Sequence, residues 1–246
     1  MTGASRHRAP PPGWTRRRSA VVRDALGVGV ATGAYGISFG AIAVAGGLSV
    51  AQTSATSVLM FTGASQFALV GVLAAGGGAP AAAVTAVLLG ARNSLYGLRL
   101  SSLLGLSGTT KAVGAQLVID ESTAMCLAHE DDQRARRLAF WATGLAVFVL
   151  WNLATLAGAL AGAALGDPQT YGLDAAVPAA FLALLWPRLG DRRARWVALG
   201  AVAVALALTP VAPVGLPVMA AAGIAVLAGV TWPDVAPGTG AEARQP

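Results

Sequence analysis

The chain has 246 residues, 55% of them hydrophobic and only 11% charged, with a formal net charge of +6 at pH 7 and a mean hydropathy of +0.64. A soluble domain carries about 25% charged residues, so these figures exclude an ordinary water-soluble fold and point to a lipid bilayer as the surrounding medium. The basic excess falls in short arginine-rich stretches between apolar runs, a pattern of membrane topology and not of a nucleic-acid-binding surface.

In chain order, Met1 to about Arg23 carries Arg6, Arg8, Arg16, Arg17, Arg18 and Arg23 with a Pro10-Pro11-Pro12 run and no apolar periodicity, and reads as a disordered cytoplasmic tail. The Arg16-Arg17-Arg18 cluster ahead of an apolar run could also open a cleaved export signal, but that run is long and further apolar runs follow it. Apolar segments come at about 25–46, 53–75, 81–104, 112–128, 138–165, 173–189, 196–209 and 214–230. They predict an all-α fold, a polytopic transmembrane helical bundle of about seven or eight spans over residues 24–232, some of them short or broken, with a disordered tail over 233–246. The fourth segment contains Asp120 and Glu121, so it is a crossing, a broken helix or an amphipathic helix outside the bilayer. Counting it as a crossing puts Arg134 to Arg137 and Arg188 to Arg195 on the same side as the arginine-rich N-terminus, the cytoplasmic side. The last two segments, separated by Pro210 and Pro213, can also form one interrupted hairpin.

Three features carry chemistry. Gly27, Gly29, Gly33, Gly36 and Gly40 line the first segment, where they serve close helix packing or expose backbone near a ligand. Phe61-Thr62-Gly63-Ala64-Ser65-Gln66-Phe67 puts hydroxyls, an amide and a glycine inside the second segment, which suits a helix broken at a binding site as well as polar contacts between helices. Arg92 stands near the middle of the third segment, where a charge costs about 3 kcal/mol on insertion scales and so faces a bundle interior or a wet cavity. The single cysteine, Cys126, excludes an internal disulfide, and with His7 and His129 as the only imidazoles no metal and no cofactor is expected. There is no Walker-type sequence, and Lys111 is the only lysine.

The chain resembles the AzlC family of branched-chain amino acid permeases. Phe61 to Phe67 looks like the family's F-x-G-A-S-Q-F signature, Ala91-Arg92-Asn93-Ser94-Leu95-Tyr96-Gly97 like its N-x-R-H-x-L-Y-G element, and Asp120-Glu121-Ser122-Thr123-Ala124 like its D-E-x-[TF]-A run. Gly172 to Pro178 is similar to its later G-L-D-x-x-x-P element. Gly90 stands where members often carry asparagine and Asn93 where they often carry histidine. The resemblance implies a non-enzymatic subunit in the cell (inner or plasma) membrane that exports leucine, isoleucine, valine or sometimes methionine, with a small AzlD-like membrane subunit as partner.

An apolar zwitterion needs a cation or helix N-terminus for its carboxylate, an acceptor for its ammonium and an apolar pocket. The expected substrate-binding set is Arg92 with Asn93, the patch Thr62, Gly63, Ser65 and Gln66, and Asp120 or Glu121 for the ammonium or a coupled proton, proton antiport being the expected driving mode. The competing readings are an Arg92–Asp120 pair of purely structural role, an intramembrane enzyme using Asp120 and Glu121, and a non-transporting assembly subunit. Asp174 caps a helix, His129 with Glu130, Asp131 and Asp132 lies in a solvated loop, and Trp141, Trp151, Trp186, Trp196 and Trp232 anchor span ends or lipid faces.

Overall fold

The computed structural model describes residues 13–129, 131–165, 182, 185–212 and 216–231. Among the described residues the regular structure is helical, with nine α-helices, one 3-10 turn at Trp186–Gly190 and no strand. Three helices form the frame: α1 (Trp14–Ala45), α4 (Ala79–Leu104) and α7 (Gln133–Leu165). Helices α1 and α7 are long and apolar enough to cross a membrane; α4 matches them in reach at 26 residues but carries Arg92 and Arg99. Helix α1 starts at Trp14, inside the stretch expected to be a disordered tail, because Val21 and Ala25 are buried and Arg17 is held by an acidic partner.

Helices α1 and α7 run parallel. Gly29 faces Ala146, Gly33 faces Leu150, Gly36 faces Trp151 and Gly40 faces Thr155, so the two numberings climb together; Gly158 and Gly162 of α7 press back against Ile37 and Ala41. A methyl group at Gly36 would lie 2.6 Å from the Trp151 carbonyl oxygen, which is why the stripe is glycine. Gly27 is exposed with nothing within 4 Å and does not belong to it. At one end, Arg17 Nη2 meets Asp131 at 2.8 Å. Helix α4 is antiparallel to both: Arg137, in the first turns of α7, donates through Nε to the Leu104 carbonyl at 2.9 Å, while Ala79 and Ala82 border Gly46 and Gly47 at the far end.

The second and fourth apolar segments do not fold as single helices. The second is α2 (Val50–Leu59) and α3 (Ala64–Ala74), the fourth α5 (Gly108–Gln116) and α6 (Asp120–Leu127). Helix α2 starts just past Gly46, and the last turn of α3 returns there: a methyl at Gly46 would lie 3.3 Å from both Ala74 Cβ and Val70 Cγ1. Helices α2 and α3, of 10 and 11 residues, are about 15 and 17 Å long at 1.5 Å per residue, so this pair is a hairpin that enters from one end of the frame and turns about half-way. Helix α5 starts beside Leu104, and α6 leads into Asp131 and Asp132 against Arg17, so the second pair enters from the opposite end. The tips meet: Gln116 Nε2, closing α5, donates to the last carbonyls of α2, Val58 at 2.8 Å and Leu59 at 3.4 Å.

Local chemistry explains the turns. Ser49 and Gln52 form a reciprocal capping box that starts α2. Gly63 turns the chain at φ +64°, a region that glycine alone enters without strain. The third residue of each returning helix then clamps its cap: Gln66 Oε1 accepts from Gly63 N–H at 3.0 Å, and Ser122 Oγ accepts from Ile119 N–H at 3.1 Å. Because two segments turn back, the direction of α7 is what two crossings would have produced, and the arginines opening α1 and α7 share one end as the charge pattern required.

The apolar core lies where the hairpins meet the frame. Phe39 packs edge-on against Phe67 at 5.5 Å and stacks on Trp151 at 6.1 Å, and Phe61 meets Phe148 at 5.0 Å. Trp151, expected as a lipid-face anchor, is 3% exposed, because the glycines opposite it let α1 close over α7. Trp186 and Trp196 are exposed. Helices α8 (Arg192–Leu208) and α9 (Leu216–Thr231) form an antiparallel pair with no buried residue, tied by Arg193 Nη2 donating to the Ala228 carbonyl at 3.0 Å. Most of the sixth apolar segment, the Gly172 to Pro178 element with Asp174, His7, Glu130, Trp232 and the tail 233–246 lie outside the described residues.

Candidate functional site

Between the two hairpin tips lies a cavity of about 220 Å³. Helix α4 supplies Arg92 from its middle; the returning helices supply their N-termini, Gly63 and Ala64 of α3 and Asp120 and Glu121 of α6, preceded by Thr62 and Ile119. Helix α1 adds Thr32 and Tyr35, and the apolar wall is Phe61, Phe67, Val147 and Trp151.

Arg92 Nη2 stands 3.0 Å from Asp120 Oδ2, with the two side chains 28% and 33% exposed. The pair is not saturated: Arg92 Nε, Asp120 Oδ1, Thr62 Oγ1 and Trp151 Nε1 are buried with no protein partner. Glu121 accepts a 3.5 Å bond from the Thr32 hydroxyl. The first N–H groups of a helix lack intrahelical acceptors and carry a partial positive charge. On α6 that charge is met by Asp120 and Glu121, whereas the first turn of α3 holds no acid. The α3 end of the cavity therefore favours an anion and the α6 end a cation.

The expected site residues divide. Arg92, Thr62, Gly63, Asp120 and Glu121 come together here. Asn93 lines a neighbouring cavity of about 270 Å³ between α4, α5 and α7, together with Lys111 and Phe140, since one residue along a helix turns the side chain by about 100°. Ser65 faces Gly90 and lines a third cavity with Met60 and Ser94. Gln66 is fully buried and clamps the first hairpin, its Nε2 donating to the Thr56 carbonyl at 3.4 Å. Thr32, Tyr35, Val147 and Trp151 escaped the sequence reading because they come from α1 and α7, whose patterns announce only packing. His129 Nδ1 lies 2.9 Å from the Met125 carbonyl oxygen, and its neighbours Asp131 and Asp132 are engaged by Arg17, whose hydrogen bond holds the Asp131 carboxyl below the usual carboxylate range.

The described helices form a bundle in which two opposed hairpins close a polar cavity, with half-helix N-termini at its edge. A family model described as AzlC protein matches residues 27–165, more than half of the chain and nearly all of α1 to α7, and the chain belongs to that family, which is associated with transport and not with enzymatic chemistry. No curated protein and no solved structure matches the chain.

Proposed function

We propose that this chain is a multi-pass subunit of a transporter in the cell membrane that exports branched-chain amino acids, with a small AzlD-like membrane subunit as its partner. The observation that carries the reading is the unsaturated Arg92–Asp120 pair inside a cavity closed by hairpins from opposite ends. The substrate carboxylate displaces Asp120 from Arg92, takes the guanidinium fork and points at the N-terminus of α3. Asp120, released, accepts from the ammonium, and the branched side chain fills the space among Phe61, Phe67, Val147 and Trp151. Each hairpin gates the cavity from its own end, so access alternates as one tip parts from the other.

The charge distribution supports a cytoplasmic N-terminus. Arg16, Arg17, Arg18 and Arg23 open α1, Arg134, Arg136 and Arg137 open α7, and Lys111 sits at the base of the second hairpin, all at one end. The opposite connections, 46–49 and 75–78, carry no charge.

The test is efflux of preloaded labelled leucine, valine and methionine from cells lacking their own exporters, expressing this chain with the small subunit. Wild type speeds efflux and Arg92→Ala abolishes it at matched membrane abundance. The combined change Arg92→Gln with Asp120→Asn removes both charges; transport stays lost if the pair contacts substrate, and its return would show the pair to be structural only.

A further inference from the structure

Two adjacent carboxylates face one cation in this cavity, and the structure treats them differently. Asp120 is paired with Arg92 at 3.0 Å. Glu121, one residue on and turned toward α1, has no cation within 4 Å among the described residues and accepts a 3.5 Å hydrogen bond from the Thr32 hydroxyl. The titratable and charged groups that line the cavity with Glu121 are few: Tyr35 from α1, Arg92 from α4 and Asp120 beside it on α6. Helices α3 and α7 contribute no charge to the lining. Both acids lie in the first turn of α6, and what separates them is Arg92, which pairs with Asp120. A separate observation supports a polar ligand here: Trp151, 3% exposed, lines the cavity and its buried Nε1 has no partner.

Resting on the amino acid transport reading above, we propose that the two acids divide the work: Asp120 exchanges Arg92 for the substrate's ammonium, and Glu121 is the residue that carries the coupled proton. In the empty cavity Arg92 pairs with Asp120, and the second carboxylate, with no cation within 4 Å in a medium of low dielectric, is the one that binds a proton. A protonated Glu121 no longer offers its full acceptor capacity to an ammonium, so proton and zwitterion compete for the site. In each cycle a proton from the outer solution forms the O–H bond on Glu121 as the amino acid leaves. At the inner end that bond breaks, the proton passes to water, and the next amino acid enters. One proton moves in for one amino acid out.

The experiment uses everted membrane vesicles from cells expressing the full chain with the small subunit, and labelled leucine as the probe. Two processes are measured: leucine–leucine exchange without a pH gradient, and leucine accumulation driven by acidifying the vesicle interior. With the membrane potential clamped at zero by potassium and valinomycin and a gradient of about one pH unit, one-for-one antiport supports about tenfold accumulation in wild type. Glu121→Gln is expected to retain exchange at saturating leucine with a raised half-saturation concentration that no longer varies with pH, and to show no accumulation. Asp120→Asn is expected to lose both processes, and Glu121→Asp to restore accumulation. Accumulation by Glu121→Gln equal to wild type overturns the assignment, and so does loss of exchange and accumulation together in that variant at matched abundance. Failure of wild type to exchange leucine, valine or methionine would instead sink the underlying transport reading.

Discussion

Replacing Gly36 by alanine tests the packing that holds Trp151 over the cavity. The added methyl would lie 2.6 Å from the Trp151 carbonyl oxygen, 3.1 Å from Ala154 Cβ and 3.2 Å from Thr155 N, against ordinary contacts that begin at 3.4 Å. Two backbones cannot yield as a flexible side chain does, so α1 and α7 must part locally by close to 1 Å, which forfeits about a quarter to a half of each dispersion contact there. Overpacking of this kind costs about 1–3 kcal/mol, offset by about 1 kcal/mol of helix propensity gained on leaving glycine. The net change therefore runs from about zero to a loss of about 2 kcal/mol, which lowers the midpoint by up to about 8 °C at about 2–4 °C per kcal/mol for a chain of this size. Gly27→Ala is the matched control: nothing lies within 4 Å, so it gains propensity without the clash and holds or raises the midpoint. Detergent-solubilised protein heated in steps and scored by the monodisperse fraction measures both. If the two substitutions shift the midpoint equally, the division of the glycines into packed and unpacked positions is wrong. Because the Trp151 carbonyl moves with its side chain, Gly36→Ala also slows leucine efflux, and unchanged efflux would detach the packing stripe from the site.

Gln116→Leu removes the donor that ties the hairpin tips; with a net hydrogen bond worth about 1 kcal/mol, amide exchange at residues 57–63 and 114–119 should speed about fivefold. Exchange at the wild-type rate would mean that the tips are held by packing alone. Gly63→Ala forces a Cβ into a positive-φ turn and should cost about 1–2 kcal/mol with loss of transport, although nothing lies within 4 Å of the new methyl; a neutral result would show that the turn relaxes. Asp131 titrates below the usual aspartate range because Arg17 donates to it, so their contact is intact above the ordinary pKa and is lost only as pH falls through the lower folded value. Carboxyl carbon resonances of Asp131 should move back up to the ordinary range in Arg17→Gln; an unmoved titration would reject that cause.

What the residues determined by themselves was the class of the chain and the chemistry of its centre. Composition pointed to a lipid bilayer, Arg92 in an apolar run demanded a partner, and Asp120 with Glu121 were the acids on offer. The break at Gly63 was legible too, because glycine amid Thr62, Ser65 and Gln66 weakens a helix and supplies groups to satisfy the freed backbone. Hydropathy is blind to direction, however: two half-helices read the same whether they continue across or fold back. Only the contact of Ala74 with Gly46, and of the α6–α7 connection with Arg17, turned two expected crossings into opposed hairpins. The same holds for the roles of neighbours in sequence. Arg92 and Asn93, about 100° apart round the helix, enter different cavities, and Gln66 goes to the hairpin rather than the lining. Thr32 and Trp151 reach the site because glycines on α1 and α7 admit their helices to it. Chemistry is a property of residue types and travels with the sequence, whereas the pairing of charges and the side from which a helix enters depend on contacts between segments far apart in the chain, which tertiary packing alone decides.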